Sequence, residues 1–240
     1  MTKKSLALMA AVLATCSALP TLASAADSTL AFNVGAFSDY RYRGISQTRL
    51  QPAVQAGVDF GMPNGIYLGA WASSIKWIDD AGGDANVEID LYGGWKGEVA
   101  TGLTLDVGAL TYQYPSNGLN PSATTTEIYG ALSYAMFTLK YSHSVTNLFG
   151  FGDSKGSGYV DLSATFDLGN GIMVAPHIGH QTVKNLGVAS YSDYSLTISK
   201  DFSGWVPSLA LVDTDTDVYV GPNGKDLGKA GVVLGIKYNF

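Results

Sequence analysis

Val232-Val233-Leu234-Gly235-Ile236-Lys237-Tyr238-Asn239-Phe240 is the stretch whose reading decides the fold. Side chains alternate across an extended strand, so Val232, Leu234, Ile236, Tyr238 and Phe240 share one face. Val233, Gly235, Lys237 and Asn239 share the other. The first face is unbroken and apolar, and it ends on an aromatic residue. Chain ends of soluble domains tend to be polar and to fray. A soluble protein rarely finishes this way.

The same period-two pattern recurs upstream. Twelve runs carry it: 29–42, 52–62, 66–77, 87–97, 102–114, 125–135, 137–146, 158–168, 172–182, 191–200, 205–213 and 230–240. Each is near the length that a tilted strand needs to cross a bilayer, about ten residues. The connections alternate in length. Short ones are Pro63-Asn64-Gly65, Glu98-Val99-Ala100-Thr101, Ala135-Met136, Gly169-Asn170-Gly171 and Asp201-Phe202-Ser203-Gly204. Long ones are 43–51, 78–86, 115–124, 147–157, 183–190 and 214–229. Short periplasmic turns opposite long external loops, with an even strand count, are the pattern of outer-membrane barrels.

One face of the runs is apolar throughout, as in Leu30-Phe32-Val34 or Val160-Leu162-Ala164-Phe166. The other carries Asn33, Gln55, Asp59, Glu88, Asp90, Lys96, Asp161, Ser163 and Asp167. A soluble β-sandwich would turn its polar face to water and its apolar face to a second sheet. A barrel would turn the apolar face to lipid and the polar face to a lumen. Aromatics near the strand ends favour the barrel. Tyr40, Tyr42, Trp77, Tyr112, Tyr159 and Tyr194 are expected in an upper girdle. Phe60, Trp95, Tyr134, Phe137, Phe166, Trp205, Tyr238 and Phe240 are expected in a lower one. The fold class is therefore all-β, a transmembrane antiparallel up-and-down β-barrel of about twelve strands. Closure removes sheet edges, which lipid cannot satisfy.

The start of the chain is a signal peptide, residues 1–25, ahead of a barrel domain at 26–240. Lys3 and Lys4 are its basic start, Ser5 to Leu19 its apolar run, and Ala23-Ser24-Ala25 its cleavage site. Cys16 is the one cysteine. Thr15 precedes it where a lipoprotein box has Gly, Ala or Ser, and its removal leaves no thiol for a disulfide. Lys3 and Lys4 are two of 14 basic residues, so 12 remain against 20 acidic ones and the net charge moves from −6 to −8. No basic stripe suggests nucleic acid.

The aromatic terminal strand resembles the last strand of bacterial outer-membrane barrels. The resemblance implies recognition by the barrel-assembly machinery. A second resemblance is more specific. Ser38-Asp39-Tyr40-Arg41-Tyr42-Arg43-Gly44-Ile45-Ser46-Gln47, followed by Pro52-Ala53-Val54-Gln55-Ala56, is similar to segments shared by the TorF family, a proteobacterial family of outer-membrane barrels read as porins. Gly65-Ile66-Tyr67-Leu68-Gly69-Ala70-Trp71, Glu88-Ile89-Asp90-Leu91-Tyr92-Gly93-Gly94 and Thr126-Glu127-Ile128-Tyr129-Gly130 also match. Ala56 stands where that family often has Gly. The resemblance implies an outer-membrane barrel among lipid and lipopolysaccharide, without naming a solute.

Asp39, Arg41 and Arg43 fall on one face of the first run, with Tyr40 and Tyr42 on the other, so the charges are expected in the lumen. Asp59, Glu88, Asp90, Glu127, Lys140, Asp161 and Lys237 are the other expected pore-lining charges. Arg on one wall facing carboxylates on others would set a transverse field and bias ion passage. The same charges could instead pair into a network that stiffens the barrel, since twelve strands lie between a filled eight-stranded barrel and an open porin. Asp213, Asp215 and Asp217 alternate into a long loop and are a weak metal candidate. The EF-hand pattern fails there, with Val218 at the Gly place and Gly224 at the Glu place.

His177 and His180 point to opposite faces, and no Ser-His-acid spacing is visible, so the chain does not read as an enzyme. No cofactor is implied. The expected function is a porin-like channel for passive diffusion of small polar or charged solutes. The alternatives are a non-channel barrel that uses its external loops for structure or adhesion and, behind it, a barrel enzyme. Amino-terminal sequencing of the exported protein is expected to give Ala26 as the first residue. A retained Met1 would refute the signal peptide.

Overall fold

In a computed structural model of the protein, residues 27–240 are described. The expected signal peptide and Cys16 lie outside the described residues. Twelve antiparallel strands form one closed sheet: β1 Thr29–Phe37, β2 Ala53–Gly61, β3 Ile66–Ser74, β4 Val87–Ala100, β5 Leu103–Gln113, β6 Thr125–Tyr134, β7 Phe137–Ser144, β8 Gly158–Ala164, β9 Ile172–Thr182, β10 Tyr191–Lys200, β11 Trp205–Thr214 and β12 Gly231–Asn239. β8 resumes after Thr165 as Phe166–Asp167, still paired with β9. Each strand pairs with its neighbours in sequence, and β12 closes on β1 with Asn33 opposite Asn239, Gly35 opposite Lys237 and Phe37 opposite Gly235. The seam leaves no open edge, which a strand at membrane depth requires.

The terminal strand has the two faces its sequence implies. Leu234 is 56% exposed and Val233, its neighbour, 6%. Leu30, Phe32, Leu132, Leu162, Leu196 and Leu211 continue the exposed apolar belt around the barrel. The lower girdle also forms. Tyr134, Phe137, Phe166, Trp205 and Phe240 are exposed at the short-turn end. There Trp205 and Tyr238 lie 4.7 Å apart, and Tyr238 meets Phe240 at 4.8 Å, centroid to centroid.

The upper girdle is a correction. Of its six expected members only Tyr194 is exposed; Tyr40, Tyr42, Tyr112 and Tyr159 are buried inside, and Trp77 packs against the same internal cluster. Two causes act. β1 ends at Phe37, not at residue 42. The Ser38 N–H donates to the Leu234 carbonyl at 2.8 Å, and the Ser38 Oγ accepts the Leu234 N–H at 2.9 Å. This ends the ladder, and the chain turns into the lumen. Tyr112 and Tyr159 face inward by parity, like Asp106 and Asp161 on the same strands.

The long-loop half of the lumen is thus filled. Tyr40, Tyr42, Ile75, Ile78, Leu110, Tyr112 and Tyr114 form a buried core there, with Trp71 and Phe149 packed against it. Leu234→Arg, in the middle of the lipid face, is expected to cost about 2–4 kcal/mol in unfolding from bilayers. Gln55→Arg, facing the lumen, is expected to cost less than half as much. Equal losses would show that Leu234 does not face lipid.

Candidate functional site

The segment that leaves β1 builds the site. Arg41–Tyr42 and Ile45–Ser46 form a two-stranded hairpin inside the barrel, with Arg41 opposite Ser46 and Tyr42 opposite Ile45. Arg43 and Gly44 are its turn, at φ +46° and +81°. Positive φ at both central residues marks the tight type I′ hairpin turn, which favours Gly. At Gly44 a Cβ would collide with the Thr214 methyl and lie 2.9 Å from the Asp193 Cβ. Arg43 takes the left-handed conformation without glycine's freedom, at some cost in backbone strain.

Asp39 is the knot of this segment. Its carboxylate accepts from Arg41 Nε at 2.6 Å, Ser46 Oγ at 2.6 Å and Thr48 Oγ1 at 3.0 Å. Arg41 also donates through Nη1 to the carbonyls of Gly44, Leu227 and Lys229, at 2.9, 2.8 and 3.2 Å. Asp39 and Arg41 therefore hold the hairpin together and tie it to the last long loop. Tyr40 donates to Glu88 Oε1 at 2.6 Å, which ties the hairpin to β4.

The tip reaches across the lumen. Arg43 donates to both Glu127 oxygens, Nη1 to Oε1 at 3.1 Å and Nη2 to Oε2 at 2.7 Å, and to Gln181 Oε1 at 2.5 Å. This two-pronged contact is the strong form of an Arg–carboxylate pair. The guanidinium also lies over the rings of Tyr159, at 4.2 Å, and Tyr42, at 4.8 Å. Arg43 is 3% exposed and Glu127 2%. Tyr112 donates to Glu127 Oε2 at 3.2 Å, and its hydroxyl meets that of Tyr42 at 2.7 Å. The latch thus spans β6, β9 and the hairpin.

Below it lies a second set on β8, β9 and β10. His177 Nε2 is 2.8 Å from Asp161 Oδ2, and Nδ1 is 3.5 Å from Asp193 Oδ1. Tyr159 donates to Asp193 Oδ2 at 2.9 Å. The short-turn half holds buried side chains as well, among them Tyr67, Met173 and Val206. Asp59, Lys140 and Lys237 are only partly buried there. Tyr92 donates to Asp59 at 2.5 Å, and Lys237 is held in the field of the same carboxylate. Lys140 Nζ sits 4.2 Å over the Tyr129 ring, and the Tyr67 hydroxyl bridges Tyr129 and Asp106.

The expected pore-lining residues therefore lie inside the barrel but divide into two groups. Asp39, Arg41, Arg43, Glu88, Asp90 and Glu127 are buried in the long-loop half, whereas Asp161 is buried below the latch and Asp59, Lys140 and Lys237 are partly buried further down. Arg43 touches Glu127 directly and does not face it across a gap. Gln181, Asp193, Tyr112 and Tyr159 were not expected in the site. Parity could have found the tyrosines, since Tyr159 stands two residues from Asp161 on one strand face. The three histidines do not converge; His180 is exposed and contacts Ser192. Asp213 and Asp215 are used locally, accepting the N–H groups of Thr214 and Ser192. Among the described residues no three acidic, histidine or cysteine side chains gather as a metal site.

A bacterial family described as "Bacterial protein of unknown function (Gcw_chp)" matches residues 22–240. The chain belongs to this family. No curated protein matches it in sequence. The fold is that of solved porins. The KdgM porin is 7% identical with a TM-score of 0.57, covering 89% of this chain and 99% of its own. The NanC porin is 11% identical with a TM-score of 0.58, over 88% and 99%. A second KdgM structure, in complex with disordered oligogalacturonate, gives 7% identity and 0.56 over 89% and 99%.

Removing one partner of a buried pair strands the other's charge. Arg43→Met and Glu127→Gln are each expected to cost about 3 kcal/mol in unfolding, and the double variant less than their sum. Strict additivity would show that the two side chains do not interact.

Proposed function

We propose that the chain is an outer-membrane porin-like channel for small polar or charged solutes, plugged from within by residues 38–52. The supporting observation is the Arg43 tip, a latch closed on Glu127 and Gln181 across the lumen. The short turns then face the periplasm and the long loops the exterior. Lipid and lipopolysaccharide surround the apolar belt, and the aromatic terminal strand serves recognition by the barrel-assembly machinery. The TorF resemblance agrees with this reading.

Charge below the latch is mixed. Asp59, Asp106, Asp161 and Asp193 stand there with Lys96, Lys140, Lys237 and His177. Such a wall suits small polar or charged solutes of either sign, and the oligogalacturonate of the KdgM complex is not carried over. A second reading is a barrel that never opens and serves through its loops; the burial of Arg43 and Glu127 favours it.

Planar bilayers separate the two. The wild-type protein is expected to give small stepwise conductances. Arg43→Ala is expected to raise them at least threefold and to move the reversal potential toward cations. Open steps absent from both folded proteins would end the channel reading.

A further inference from the structure

We propose that the external mouth holds a binding site for an uncharged, ring-containing small molecule. Above the hairpin the long loops enclose a cavity of about 490 Å³. That is within the size of small-molecule sites, roughly 300–1,000 Å³. The site does not depend on whether the lumen conducts.

Its walls are aromatic and already set. Trp77 meets Phe149 at 6.4 Å and 89°, Tyr42 meets Phe149 at 5.4 Å and 78°, and Tyr191 meets Tyr219 at 5.3 Å and 69°. Edge-to-face packing orients each ring before a ligand arrives. The Tyr219 hydroxyl donates to the Ala189 carbonyl at 2.7 Å, which anchors its loop. Preset walls lower the ordering cost of binding.

Charge selects the ligand. Asp80 is the one carboxylate of the lining, and the lining has no Lys or Arg. Arg49 neutralises Asp80, with Nε 2.9 Å from Oδ2. Arg43 lies beneath the floor and is committed to Glu127. An anion or a cation would lose its hydration here and find no free counter-charge. A neutral ring would bury its faces against aromatic walls. Gln47 and Asn120 add polar groups for a hydroxyl or carbonyl.

The test is equilibrium dialysis of 1-naphthol against the folded barrel in amphipol, with 1-naphthalenesulfonate and D-glucose as comparators. Saturable binding of one 1-naphthol per chain is expected, at least tenfold tighter than either comparator. Val218 and Val220 line the cavity and are exposed, so Val218→Asp and Val220→Asp leave the barrel fold intact. Each is expected to weaken 1-naphthol at least tenfold in protein whose heat-modifiable gel mobility is unchanged. Non-saturating uptake, equal binding of the sulfonate, tighter binding of glucose, or no effect of either Asp variant would overturn the proposal. Dialysis needs no conductance. Naphthol binding without open steps would remove the channel reading alone, and open steps without naphthol binding would remove this one alone.

Discussion

Lipid offers no hydrogen bonds, and that constraint orders everything else in this molecule. Backbone groups at membrane depth must pair with one another, so the strands must close. The β12–β1 seam, with Lys237 opposite Gly35 and Tyr238 opposite Val34, completes that closure. Once it is made, parity assigns every side chain to lipid or lumen. Val232, Leu234 and Ile236 go out, and Val233 and Lys237 go in. The polar half of each run is then confined in a narrow space, where each charge must find a partner.

The inward hairpin answers that confinement. Glu127 on β6 and Gln181 on β9 do not reach each other; Arg43 meets both. A buried ion pair is weak evidence for stability, because desolvation offsets much of its attraction. Its better-attested use is to specify one arrangement. Here it specifies where the plug sits. Asp39 and Arg41 make the hairpin a rigid unit, and Arg41 and Tyr40 keep it tied to the last long loop and to β4 even without the tip contacts.

Much of the barrel was legible because period-two alternation is a local signal. Each of the twelve runs could be read alone, and the loop lengths then ordered them. The plug was not legible. Tyr40-Arg41-Tyr42 alternates as well as any membrane strand, and nothing within it says that both faces will be buried. What ends β1 is Ser38 pairing with Leu234, nearly two hundred residues away in sequence. The upper girdle failed for the same reason, compounded at Tyr159. Tyr159 shares the inward face of Asp161, so parity sends it inside despite its aromatic character. The Arg43–Glu127 contact joins segments whose separation no single-sequence pattern encodes.

The two halves of the interior differ in a way that bears on selection. The external cavity is apolar and aromatic, with its only carboxylate neutralised by Arg49. The lumen beneath holds Asp161 and Asp193 flanking His177. In the proposed channel a solute moving inward would meet hydrophobic capture first and electrostatic sorting second, with the Arg43 latch between them. Two weak filters of different physical kind would reject more than either alone, because few molecules satisfy both. The plug therefore lies where a ligand seated above it, against Tyr42, could bias its position. Tyr42 links the two, since its ring lines the cavity while its hydroxyl joins Tyr112 and, through it, Glu127.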